Sequence, residues 1–170
     1  PEYIASENAT TIEVLKDFDI KSVTETELNY LNRAWHRLLP WSDSVPGLLR
    51  LKKKFIIGTM SNGNVALMVN MAKNGGLPWD VILGAEPAQA YKPEPKTYLT
   101  GVDWLNLKPS EVLMCAAHNA DLVAAGAQGL KTAFIARPTE YGPNQKHDFE
   151  AEHDFDYISE NILDLADKLG

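Results

Sequence analysis

From residue 54 onward, short apolar runs alternate with segments of helical length, and that alternation restricts the fold more than any other feature of the chain. The runs are Lys54 to Met60, Val81 to Leu83, Glu111 to Ala116, Thr132 to Ala136 and Asp156 to Ile158. Between them lie a helical segment with Val65, Leu67, Met68 and Met71, a Pro95 to Trp104 segment, and an Asp121 to Gln128 segment ended by Gly129. Asn161 to Leu169 closes the chain as an amphipathic helix. Strand and helix in turn, with connections this short, predict an α/β fold with a parallel sheet and helices on both of its faces.

The chain ahead of residue 43 follows another rule. Ile12, Leu15 and Lys16 have helical spacing behind Thr10 or Thr11 as a cap. Thr24-Glu25-Thr26-Glu27 has the form of a capping box and opens a second run with Leu28, Leu31, Trp35 and Leu38 on one face. Pro40 and Pro46 bracket a connection to a short helix, Val45 to Leu51. A small helical lobe over residues 1–42 thus precedes an α/β core over residues 43–170.

Composition narrows the partners. A formal net charge of −7 gives no electrostatic case for nucleic acid or an anionic membrane surface. No apolar stretch reaches the ~20 residues of a spanning helix. Cys115 is the only cysteine, which rules out an internal disulfide and a cysteine-built metal site and fits a cytoplasmic location. It lies in the apolar run Val112 to Ala116, the setting of a buried, inert thiol rather than a nucleophile. The expected partner is a small-molecule substrate, with a homodimer as a further expectation.

Ligands of open α/β sheets bind beyond the carboxyl ends of the strands, so the polar residues found there belong together. Ser61-Asn62-Gly63-Asn64 follows the first run and offers a hydroxyl and amides just ahead of a helix, as an anion site or simply as a cap. Tyr91-Lys92-Pro93-Glu94-Pro95 sets a lysine on a turn stiffened by two prolines. His118-Asn119-Ala120-Asp121 ends a strand and opens a helix, where Asn119 or Asp121 can act as a cap. Each group has a bland structural reading by itself.

In order and spacing together, the three groups resemble the haloacid dehalogenase superfamily, and most closely its type II 2-haloacid dehalogenases. Ser61-Asn62-Gly63, Lys92-Pro93 with Tyr98 beyond it, and the helix opening at Asp121 carry the resemblance. Trp35-His36-Arg37-Leu38 with Trp41, ahead of Val45-Pro46-Gly47-Leu48, is similar to the return of that family's cap to its core. The resemblance implies that residues 1–42 are part of a helical cap and residues 43–170 a Rossmann-like core.

It also implies hydrolytic dehalogenation of short 2-haloalkanoic acids through an aspartyl ester. Ser61 would hold the substrate carboxylate or the nucleophile, Asn62 would line the halide site, and Lys92 would stabilise the nucleophile's charge. Tyr98 would support the pocket, Asp121 would position or activate water, and His118 and Asn119 would stand beside it. No cofactor or metal is expected. A Mg²⁺-dependent phosphatase of the same superfamily is the alternative, and a catalytically dead interaction module is another.

Ala116 and His118 stand where that family usually has Ser and Asn. The nucleophilic aspartate is expected upstream of Pro1, on a first core strand lying between the strand that ends at Ser61 and the one that ends at Ala116. Those two strands are therefore expected not to pair with each other. Asp17-Phe18-Asp19 is a decoy for a phosphatase signature, since the residues before it have helical periodicity rather than that of a strand.

Overall fold

The computed structural model describes residues 11–170. Thr10, a candidate cap, lies outside them. Residues 11–17 form α1, and the Thr11 hydroxyl is hydrogen-bonded to Asn32 Oδ1 of α2 (Glu25–Asn32). The capping box of α2 is complete: Glu27 N donates to Thr24 Oγ1 at 3.2 Å, and Thr24 N donates to Glu27 Oε2 at 2.8 Å. Asp17 ends α1, Phe18 is exposed and Asp19 pairs with Lys21, so this acidic stretch caps off a surface helix.

A 3₁₀ turn at Trp35–Arg37 then brings the lobe onto the core. His36 Nδ1 and Asn70 Nδ2 lie 2.8 Å apart, and Asn74 Nδ2 donates to Leu38 O at 3.3 Å. Of the predicted apolar face, Leu31, Trp35 and Leu38 are exposed and Leu28 is half-buried.

The core begins with α3 (Ser44–Leu51) and continues as β1 (Gly58–Ser61), α4 (Val65–Gly75), β2 (Val81–Gly84), a short α5 (Ala85–Ala88) and α6 (Pro95–Trp104). It ends with β3 (Leu113–Ala116), α7 (Asn119–Gly126), β4 (Lys131–Ile135), β5 (Tyr157–Ser159) and α8 (Ile162–Lys168). All pairings are parallel. β1 pairs with β2 in the register Thr59 to Ile82, and β4 is flanked by β3 and β5.

β4 shows why helices cover both faces. Its residues alternate in direction, as a strand requires. Ala133 and Ile135 point to one side, among Leu48 and Leu51 of α3 and Leu165 and Ala166 of α8. Phe134 points to the other, among Tyr98 and Val102 of α6 and Leu122 and Ala125 of α7. A strand apolar on both sides stays in the fold only if both sides are covered.

The strands form two sheets rather than one, β1–β2 and β3–β4–β5. β1 and β3 are not hydrogen-bonded to each other, as expected. Among the described residues no strand pairs with the second edge of either. The two sheets are nonetheless packed together, because Met60 of β1 and Tyr98 of α6 join the apolar cluster of Met114 and Phe134.

Several boundaries differ from the reading of the sequence. β1 starts at Gly58 rather than Lys54, because residues 52–55 are still unwinding from α3: Lys54 N and Phe55 N both donate to Leu51 O. α7 starts at Asn119, two residues ahead of Asp121, with His118 as its flanking residue. The irregular stretch before Lys92 contains α5. No helix among the described residues is long and apolar enough to cross a membrane.

Candidate active site

Because the strands are parallel, Ser61, Gly84 and Ala116 all close their strands at one rim. Gly84 makes the β1–β2 end possible. Its φ of 135° is left to glycine, and a Cβ there would stand 2.1 Å from Ser61 O. Ser61 is therefore held at the closest approach of the two strands. Its hydroxyl oxygen accepts from Gly63 N at 3.0 Å. The first turn of α4 is closed by Asn64, whose Oδ1 accepts from Leu67 N at 2.7 Å, and by Glu86, whose carboxylate accepts from Val65 N at 2.7 Å. The Val65 and Leu67 amides at that helix start are thus already taken by the protein's own carboxylate and amide oxygens.

Lys92 comes from the turn between α5 and α6, and Pro95 begins α6 as the first helical residue. The Lys92 ammonium pairs with Asp121 Oδ2. Tyr98 OH donates to the other oxygen, Asp121 Oδ1, at 2.6 Å. The Lys92 and Asp121 side chains are only 19% and 12% exposed, so this pair is far less screened than a surface pair. Burial, together with the bond to the Asp121 carboxylate and its charge, pushes the Tyr98 phenol well above its ordinary range and keeps it a donor.

Asn62 meets the same turn from the other side. Its Oδ1 accepts from Lys92 N at 2.7 Å, and its Nδ2 donates to Lys92 O at 3.3 Å.

His118 and Asn119 are held by the loop over residues 137–152. His118 Nε2 lies 3.1 Å from both carboxylate oxygens of Glu140 and 3.2 Å from Tyr141 OH. Asn119 is buried with both ends of its amide occupied: Nδ2 donates to Asp148 Oδ1 and Glu150 O, and Oδ1 accepts from Glu152 N. Burial works against ionisation of Asp148, yet the Asn119 N–H, His147 and the Asn119 amide outweigh it and hold the carboxyl low.

The structure therefore joins Asn62, Lys92, Tyr98 and Asp121 by direct bonds, with Ser61 next in the chain to Asn62. His118 stands at the same strand end, tied to the loop. Asn119 acts as a clasp for that loop, so its amide is not free to serve a substrate.

Reading the sequence missed Glu140, Tyr141 and Asp148 as partners of this rim. The prolines and mixed charges of residues 137–153 fitted either a dimer contact or a pocket rim, and did not say which residues turn inward.

A hard cation such as Mg²⁺ takes several oxygen ligands. Here the Asp121 carboxylate is committed to an ammonium and a phenol, and its neighbours are His118 and Asn119. These residues do not suit Mg²⁺ as a resident ion.

The model of the haloacid dehalogenase-like hydrolase family matches residues 2–129. The chain is 33% identical over 133 residues to (S)-2-haloacid dehalogenase 1 of Pseudomonas sp. (strain CBS-3), an alignment covering 75% of this chain and 58% of that protein. It thus spans little more than half the length of that curated relative. Two solved structures match more fully. The L-2-haloacid dehalogenase PA0810 is 46% identical, with a TM-score of 0.91 over 95% of this chain and 69% of its own. The defluorinating L-2-haloacid dehalogenase Rha0230 is 47% identical, with a TM-score of 0.92 over 96% and 67%. A parallel α/β core, three site groups at one rim and a family match over most of the sequence lead to one conclusion: the chain belongs to the haloacid dehalogenase-like hydrolases.

Proposed function

We propose that the protein is a 2-haloacid dehalogenase acting on short 2-haloalkanoic acids, and that its place of action is the cytoplasm. The carrying observation is the Lys92–Asp121–Tyr98 group beside Ser61. A half-buried ammonium aimed at a carboxylate, with a phenol fixing the second oxygen, suits a reaction in which carboxylates attack and activate water. The names of the relatives support the same choice.

In this reading a nucleophilic aspartate attacks the carbon bearing the halogen. The carbon–oxygen bond forms as the carbon–halogen bond breaks, and the halide departs with the bonding pair. Water then adds to the carbonyl of the resulting ester, giving its proton to the Asp121 carboxylate. The adduct collapses as the ester carbon–oxygen bond breaks with its electron pair on the substrate oxygen; that oxygen takes the proton back from Asp121 to give a 2-hydroxy acid, and the nucleophile's carboxyl releases the remaining proton to solvent. Lys92 offsets negative charge in both steps, and Ser61 holds a carboxylate by hydrogen bonding. The nucleophile is assigned to a strand seated between β1 and β3.

The test is halide release from 2-chloropropionate, in the presence of a metal chelator, by the longest natural form of the protein. Release of one halide per 2-hydroxy acid supports the reading. Turnover found only with phosphate esters and Mg²⁺ replaces it with the phosphatase, and binding of a protein partner without turnover replaces it with an interaction module.

A further inference from the structure

Asn62 is the residue whose expected role and observed bonding part most clearly. The family resemblance assigns it to the halide. In the structure its side chain is spent on backbone: the amide oxygen takes Lys92 N–H at 2.7 Å, and the amide nitrogen gives a hydrogen to Lys92 O at 3.3 Å. Thirty residues separate the two partners. A planar amide that both gives and receives along one residue's backbone behaves like a neighbouring strand, and fixes that residue in position and orientation at once.

The consequence runs outward from the backbone. Lys92 has a long, flexible side chain, and such a chain loses much rotamer freedom when held to one partner. Pinning its backbone fixes the base from which the ammonium reaches its partner, so that fewer rotamers bring it there. The ammonium arrives at Asp121, whose other oxygen is fixed by Tyr98. Asn62 follows Ser61 directly at the end of β1, while Asp121 belongs to α7 beyond β3. The two-bond clamp therefore sets the distance between a group on one sheet and a group on the other.

We infer that Asn62 is a positioning residue for Lys92, acting through the Lys92 backbone to aim the ammonium at Asp121. The effect on turnover rests on the dehalogenase reading, whereas the clamp itself does not.

Two measurements separate them. Acetic anhydride footprinting of the full chain, read by mass spectrometry, compares Lys92 with the exposed Lys146. In the wild type Lys92 is protected relative to Lys146. Asn62→Ala removes both clamp bonds, and Asn62→Asp keeps the shape and the acceptor but loses the donor. Both should raise Lys92 acetylation several-fold and leave Lys146 unchanged. In the dehalogenase assay both should lower kcat by roughly 10–100-fold with little change in KM or in inhibition by chloride, the pattern of a misplaced catalytic group. Unchanged Lys92 acetylation in Asn62→Asp overturns the inference. So does a variant whose only change is weaker chloride inhibition, which returns Asn62 to the halide. A wild type without halide release removes the dehalogenase reading and leaves the footprint to decide the clamp.

Discussion

Asp43 and Arg137 lie 94 residues apart and meet through one oxygen: Asp43 Oδ2 accepts from Arg137 Nη2 at 2.8 Å and from Ile162 N at 2.8 Å. The pair fastens three places together, the entry to α3, the chain leaving β4 and the start of α8. Trp41 adds to it, since the Arg137 guanidinium stacks 4.9 Å above its ring.

That junction predicts an acid-sensitive stability term. Burial works against the Asp43 charge, but Arg137 and Ile162 N–H outweigh it and hold the carboxyl below its ordinary 3.8. A depressed carboxylate stabilises the fold above the unfolded value and loses that contribution as the pH falls through the folded one. Asp43→Asn should cost about 2–4 kcal/mol at neutral pH. The difference from wild type should shrink below pH 3.8. Urea unfolding at several pH values measures both.

Tyr98 carries the opposite sign. Its phenol is raised in the fold from an ordinary 10.0, so the neutral form is favoured by folding and the unfolded chain ionises first. Tyr98→Phe should cost roughly 1.5–3 kcal/mol near neutrality, the worth of a hydrogen bond to a charged group. Above pH 10.0 the wild type should lose stability that the variant keeps, and the gap should narrow. Equal pH dependence of the two unfolding curves in that range would contradict it.

Gly84 admits no replacement. A methyl group there meets Ser61 O at 2.1 Å and Ser61 N at 2.7 Å on a backbone that L residues avoid. Gly84→Ala should lower stability by about 3 kcal/mol or more, or Tm by roughly 6–12 °C. Scanning calorimetry reads it.

Cys115 is exposed among the described residues, against the expectation of burial. Iodoacetamide should therefore label it in the folded protein, and labelling only after unfolding would contradict it.

The sequence made helix starts legible because their signals are local. Pro95 at a first helical position and Thr24 three residues ahead of Glu27 are complete statements within one turn of chain. Lys92, Tyr98 and Asp121 were legible as a group because their order along the chain resembles a known one. What stayed hidden is non-local. Nothing near Asp148 in the chain says that it will meet Asn119, and nothing near Arg137 names Asp43. The true start of β1 was also hidden, since Phe55 has a strand-like side chain but a backbone N–H still bonded to Leu51 O.

The division of the sheet decides where the site's geometry is vulnerable. Ser61, Asn62 and Lys92 ride with β1 and β2, and Asp121 and His118 ride with β3. Among the described residues β1 and β3 share no ladder hydrogen bond; the halves meet through an ion pair, the Tyr98–Asp121 bond and apolar contacts around Met60 and Met114 and around Ile57 and Leu48. On the reading that a strand seats between β1 and β3, that strand joins the two halves as well as carrying the nucleophile. Supplying the attacking carboxylate and setting the spacing of the groups that serve it would then be a single act, and a change that loosens the strand would cost both at once.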